Sequence, residues 1–282
     1  MIADDGQHTA VLTDVAGTRP VYLARTESGA LWSTSASALA RHIAAGVDFA
    51  AVVTRLVCPT VAEVTRDETA YEGVRRVPGG HVLITDRTGR HTITAYEEQR
   101  RLPFEDAALE LREALLEAVT YRVKTAERLT ADFSGGLDST SLALLAHAAG
   151  ADLLAVTHVD EASRNEDVQY AQRAARGKNL RHVLVTDDEG LFFAGLPEAP
   201  HTDQPFPDAA RWRLRAAHQR VCIEYGSDLH LGGSGADMLL SAPRTYLADL
   251  ARERDLAALL RHSRAKARLR QKPSGCRGPR TR

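Results

Sequence analysis

The sequence predicts an α/β protein, with a β-rich N-terminal segment preceding a domain built on a parallel sheet. Three observations predict it. Up to residue 97 the apolar residues fall in short β-branched and aromatic runs broken by turn residues. From Pro103 onward, short apolar runs alternate with stretches of helical period, the pattern of a parallel sheet covered on both faces. Two of the later strands also run directly into glycine-rich turns.

The elements follow in order. "TAVLTD", "PVYLAR" and "ALWSTS" read as strands, separated by "AGTRP" and "TESG". "SALARHIAAG" reads as a short helix closed by Gly46, and "HVLITDRTGRHTITAY" as a hairpin turning at Asp86 to Gly89. These define a first domain, 1–97. Pro103 then stops the chain, and Ala108, Leu111, Leu115, Val119 and Val123 recur at helical spacing. "RLTADF" is a strand and Ser139 to Ala149 a helix; "LLAVTHV" is a strand and Asn165 to Arg176 a helix. "RHVLVT" is a strand, Asp208 to Tyr225 a long helix and "SDLHLG" a last strand. The proline-rich "AGLPEAPHTDQPFPDA" reads as a loop over the sheet's carboxyl edge. The second domain is 104–260. From Arg261 to Arg282 there is no Asp or Glu, and "QKPSGCRGPRTR" has no periodicity. This basic tail, 261–282, is expected to be disordered.

Composition excludes several classes. Hydrophobic residues at 44% and charged residues at 26% allow a real core. A net charge of −1 gives no signal for nucleic acid or an anionic membrane. No run approaches the ~18 apolar residues of a membrane span, and "MIADDGQHTA" is not a signal peptide. Cys58, Cys222 and Cys276 are scattered and odd in number, without CxxC or Cys/His pair spacing. That argues against a zinc site or disulfide framework and for a reducing cytoplasm. The eleven histidines read as surface or hydrogen-bonded residues rather than ligands.

The chemistry concentrates in "ADFSGGLDSTSLALLAHAAG". A strand ends at Phe133, the loop Ser134-Gly135-Gly136-Leu137-Asp138 follows, and a helix begins near Ser139. A glycine loop feeding a helix N-terminus cradles anions with bare N–H groups and the positive end of the helix dipole. Ser134, Ser139 and Thr140 add hydroxyls. The loop lacks the Gly-Lys-Ser/Thr ending of a Walker A loop and is not GxGxxG. Asp138 would repel an anion, so it reads either as a ligand to Mg²⁺ lying on a polyphosphate or as an acid favoured by the dipole. "LHLGGSGADMLL" repeats the logic with Gly232, Gly233 and Gly235 before Asp237. In a parallel sheet both loops emerge at the same carboxyl edge, which favours the metal reading for Asp138 and Asp237.

These residues carry a resemblance. "SGGLDS" after a strand resembles the pyrophosphate loop of the ATP pyrophosphatases, specifically their asparagine synthetase-like branch. "NEDVQYAQRAA", with Glu166, "TDQP" at Asp203 to Pro205, and "GGSGAD" stand in the order that family shows. "LTDVAGTRPVYLARTESGALWSTSASALA" and "VRRVPGGHVLI" resemble the late part of its glutaminase-like (Ntn) domain. Within the family, "FSGGLDSTSLA", "GSDLHLGGSGADMLLSAP" and "YLADLAR" look most like lasso peptide macrolactam synthetases, or cyclases.

The resemblance implies a Rossmann-like sheet of the adenine nucleotide alpha hydrolase type and the use of ATP and Mg²⁺. It implies isopeptide closure of a precursor peptide through an acyl-adenylate, with a leader peptidase and recognition protein as partners. Gly135, Gly136 and Ser139 would hold pyrophosphate, and Phe133, Val156 and Gly232 would border adenine. Two departures carry weight. The chain starts Met1-Ile2, where glutamine-using members need cysteine, so no glutaminase activity is expected. Ser234 stands where asparagine synthetases place a glutamate. The front of the N-terminal domain and the C-terminal lobe with its lysine are expected to be missing. The competing readings are therefore a ligase acting on a small carboxylate and a truncated, non-catalytic nucleotide-binding remnant.

Overall fold

The computed structural model describes residues 1–58, 67–97, 100, 102–159, 166–186, 192–205, 207–240 and 246–270. The chain forms two compact units, Met1–Ala114 with Asp187–Ala217, and Leu115–Thr186 with His218–Arg282. The first of these divisions, between Ala114 and Leu115, falls inside a helix.

In the first unit β1 (Ile2–Asp4), β2 (His8–Leu12), β6 (His81–Asp86) and β7 (His91–Ala95) form an antiparallel sheet in the order β1-β2-β6-β7. A second antiparallel sheet runs β4-β3-β5, from β3 (Val21–Thr26), β4 (Gly29–Ser33) and β5 (Val74–Val77). Strand β3 explains the layering, because period-2 alternation sends its residues both ways. Val21 and Leu23 join Val11, Val77 and Leu83 in one core. Tyr22 and Ala24 join Ala36, Leu39 and Ala40 of helix α1 (Ala36–His42) in another. The helix stops at His42, before Gly46, because Ala44 takes a left-handed turn at φ 52° and Ala45 N–H reaches back to the Ala40 carbonyl at 2.8 Å. The β-rich reading also missed α2 (Phe49–Val57), whose N-cap Asp48 accepts from Ala51 N–H at 2.9 Å.

In the proline-rich segment, Asp203 and Gln204 hold to residues of this first unit. Asp203 accepts from Ser35 Oγ at 2.6 Å, Ala36 N–H at 2.8 Å and Ser37 N–H at 2.9 Å, so it caps α1 together with Ser35. Gln204 accepts from Arg55 at 2.9 Å and donates to the Tyr22 hydroxyl at 2.8 Å.

Helix α3 (Phe104–Thr125) buries Val119 in the second unit's core, with Val123 packed beside it, whereas Leu111 is exposed. There β8 (Leu129–Asp132), β9 (Leu153–Val159), β10 (Arg181–Thr186) and β11 (Leu229–Leu231) form a wholly parallel sheet, ordered β10-β9-β8-β11. Helix α4 (Leu137–Ala148) begins two residues before the expected Ser139. Helix α5 (Glu166–Ala175) follows β9; the expected start at Asn165 lies outside the described residues. Leu129, Ala131 and Phe133 face a core with Ala143 and Ala146 of α4 and Ala171 of α5.

The long helix resolves into a 3₁₀ turn, Pro207–Arg211, and α6 (Trp212–Tyr225). Helices α7 (Ala236–Leu240), α8 (Tyr246–Arg252) and α9 (Leu256–Arg270) follow. Helix α9 corrects the tail reading for 261–270. Asp255 accepts from Ala258 N–H at 2.9 Å and starts a helix that runs on through those basic residues. Residues 271–282 lie outside the described residues.

Candidate functional site

The strand order reverses at β8: the chain steps to β9 and β10 on one side and returns to β11 on the other. Loops at the carboxyl ends of two such strands diverge and leave a crevice. A cleft of about 350 Å³ lies there, bordered by Phe133, Ser134, Gly136, Asp138, Ser139 and Val156, among others.

The glycine geometry explains how the loops build this crevice. Gly135 has φ +89°, and a Cβ there would meet the Asp167 carbonyl oxygen of α5 at 2.0 Å. Only glycine lets the loop lie that close to the helix. A Cβ on Gly233 would stand 2.6 Å from Ser139 N, so the second loop packs on the first turn of α4. On Gly232 it would stand 3.2 Å from Asp132 Oδ2. The two loops proposed from sequence therefore touch.

The α4 N-terminus is open. Its N-cap, Gly136, offers no side-chain cap, so first-turn N–H groups lack intrahelical partners at the cleft. The hydroxyls of Ser134 and Ser139 lie 2.8 Å apart, and Ser134 Oγ accepts from Gly136 N–H at 3.2 Å. These groups fix the loop as well as border the cleft. Thr140 Oγ1 is buried without a hydrogen-bond partner, and Thr140 is not among the cleft's lining residues. Phe133 borders the cleft, but its side chain is fully buried and packs edge-on against His182. Asp138 borders the cleft from the first turn of α4. Asp237 sits exposed in the first turn of α7 and, like Gly135 and Gly232, is not among the lining residues.

Sequence reasoning missed a polar cluster beside this cleft. Alternation in β8 turns Thr130 and Asp132 away from the apolar core, toward His230 of β11 and His218 and Cys222 of α6. Asp132 Oδ1 lies 3.2 Å from Nε2 of both histidines. Burial opposes charge on Asp132, but its contacts with His218 and His230 hold it well below the usual carboxylate range. The Asp132 carboxylate, then Cys222, lifts His218 to about 9 against burial. Burial lowers His230, yet the same two partners raise it to about 9. Burial raises the Cys222 thiol, and the two imidazoles outweigh it, bringing it to about 6. The available signal was the four-residue step from His218 to Cys222, one turn on one helix face.

Residues 110–282 match the asparagine synthase family, and that stretch contains both glycine loops. The chain belongs to the asparagine synthase family. The carboxyethyl-arginine beta-lactam-synthase of Streptomyces clavuligerus is 30% identical over 263 residues, covering 86% of this chain and 48% of that protein. Amidase chry2 of Gibberella zeae is 30% identical over 201 residues, covering 60% of this chain and 30% of its own. The chain thus spans half or less of the length of these curated relatives. A solved NH3-dependent NAD synthetase from Campylobacter jejuni aligns over 49% of this chain and 62% of its own, with 19% identity and a TM-score of 0.36. Among the described residues no helix is long and apolar enough to cross a membrane.

Proposed function

We propose that this asparagine synthase family member is an ATP-dependent ligase that closes an amide bond through an acyl-adenylate. The observation that carries the proposal is the uncapped α4 N-terminus facing a cleft at the strand-order reversal, with the second glycine loop packed on its first turn. N–H groups of Leu137, Asp138 and Ser139 at that end suit the phosphates of a nucleotide. The carboxylates of Asp138 and Asp237 are hard oxygen donors suited to Mg²⁺, which would neutralise phosphate charge.

The chemistry balances in two steps. A substrate carboxylate oxygen attacks the α-phosphorus of ATP, the bond to the bridging oxygen breaks, and pyrophosphate leaves. An amine of the same substrate then attacks the acyl carbon; AMP leaves and the amine loses a proton. The α4 dipole opposes the charge that grows on pyrophosphate, and holding amine and acyl carbon together favours closure.

For the substrate we favour a leader-cleaved precursor peptide closed into a macrolactam, supplied by a leader peptidase and a recognition protein. The support is the run of motifs "FSGGLDSTSLA" and "GSDLHLGGSGAD". The similarity to a protein named for carboxyethyl-arginine favours a second reading, a small amino acid whose own amine attacks its carboxylate. Incubating the purified protein with Mg-ATP and each substrate separates them. Loss of one water from the peptide, with AMP formed, is expected. The same loss from the small amino acid alone supports the second reading. ADP in place of AMP, or no nucleotide turnover with either, overturns the proposal.

A further inference from the structure

The His218, Cys222, His230 and Asp132 cluster has no task in the ligase chemistry above. Cys222 Sγ and one nitrogen from each imidazole lie within 4.8 Å of one another. Cys222 Sγ is 3.7 Å from His230 Nδ1. A thiolate and an imidazole bound tetrahedrally to one zinc ion, at bonds of about 2.3 and 2.0 Å, sit about 3.5 Å apart. His218 and Cys222 are one turn apart on α6, while His230 comes from β11, so two elements converge on one point.

Two further observations point to a cation. His218 Nε2 is buried and makes no hydrogen bond, although Asp132 Oδ1 is 3.2 Å away. The ion pair lacks hydrogen-bond geometry, and a ring turned onto a ligand would gain a properly directed bond. His230 Nε2 does reach Asp132 Oδ1, at 3.2 Å. That is the arrangement in which a carboxylate orients a metal-binding histidine from behind. The Thr130 hydroxyl also lies 2.9 Å from His230 Nδ1, and Ser227 Oγ, 2.9 Å from that hydroxyl, can take the bond over.

We propose that Cys222 Sγ and one ring nitrogen each of His218 and His230 bind a single thiophilic divalent cation of the zinc class. Asp132 is a positioning residue behind His230, and a water or ligand fills the fourth position. Thiolate and imidazole donors select this class over Mg²⁺, so the site is distinct in chemistry from the Asp138 and Asp237 carboxylates. It would join α6 to the β8–β11 pair where Asp132 and His218 border the cleft.

The test is a cobalt titration of the chelator-treated full chain under reducing conditions. One equivalent should give tetrahedral visible bands and a near-ultraviolet thiolate charge-transfer band, both lost on adding one equivalent of zinc. Cys222→Ser should abolish the charge-transfer band and keep the far-ultraviolet circular dichroism. Asp132→Asn should keep the band and weaken zinc about 10–100-fold. Zinc should also shield Cys222, in preference to Cys58, from alkylation mapped by peptide mass. A folded chain showing no stoichiometric cobalt band, or a band that survives Cys222→Ser, overturns the proposal.

Discussion

Gly135 and Gly150 hold nearly the same backbone angle, φ +89° and +91°, in opposite surroundings. A Cβ on Gly150 meets nothing within 4 Å, while one on Gly135 meets the Asp167 carbonyl at 2.0 Å. The left-handed angle alone costs alanine about 1–2 kcal/mol. Gly150→Ala should therefore lower stability by about that amount in urea unfolding. Gly135→Ala must also push the loop off α5 and should cost about 3 kcal/mol or more. Equal losses for the two would show that the α5 contact does not matter. Gly233 lies outside the left-handed region, but a Cβ there strikes Ser139 N, so Gly233→Ala tests the contact alone. It should weaken Mg-ATP binding more than it weakens the fold, as isothermal titration beside a melting curve would show.

At the scale of elements, α1 depends on a residue far along the chain. Ser35 is its local cap and Asp203 its distant one. Asp203→Ala should cost about 0.5–2 kcal/mol, the usual range for losing an N-cap side chain. Burial pushes the Asp203 carboxyl up, but the bonds from Ser35, Ser37 and Ala36 outweigh it and hold its pKa below the ordinary value. A carboxylate depressed in the folded state stabilises fully above its unfolded pKa near 4. That gain disappears as pH falls through the folded value. Urea midpoints of the wild type should thus fall below about pH 5 more steeply than those of Asp203→Asn. Parallel profiles would remove Asp203 from the cap.

Across the whole molecule, the cleft belongs to the unit formed by Leu115–Thr186 and His218–Arg282. A ligand that binds only the folded site stabilises it by about 1.4 kcal/mol at ten times its Kd. Mg-ATP should therefore slow amide exchange most in the segment from β8 through the first turns of α4, and in the loop before α7. Strands β2 and β6 should change little. Asp138→Ala should shrink that protection. Uniform slowing throughout the chain would place the nucleotide's effect elsewhere.

The alternation of strands and helices after Pro103 was legible because parallel strands need apolar runs and their crossovers need helical period. Both glycine loops were legible for a similar reason: close backbone approach admits no side chain, so Gly135 and Gly233 stand out in the sequence. The start of α4 was misplaced by two residues because Gly136 serves as its N-cap without a side-chain bond. Other features belonged to the tertiary structure alone. Asp203 reaches α1 across 167 positions, and nothing local to either segment encodes that bond. His218, Cys222 and His230 looked scattered because their meeting depends on α6 lying over β8 and β11. Periodicity reports which face a residue takes on its own element, and only the packing of elements decides which faces meet.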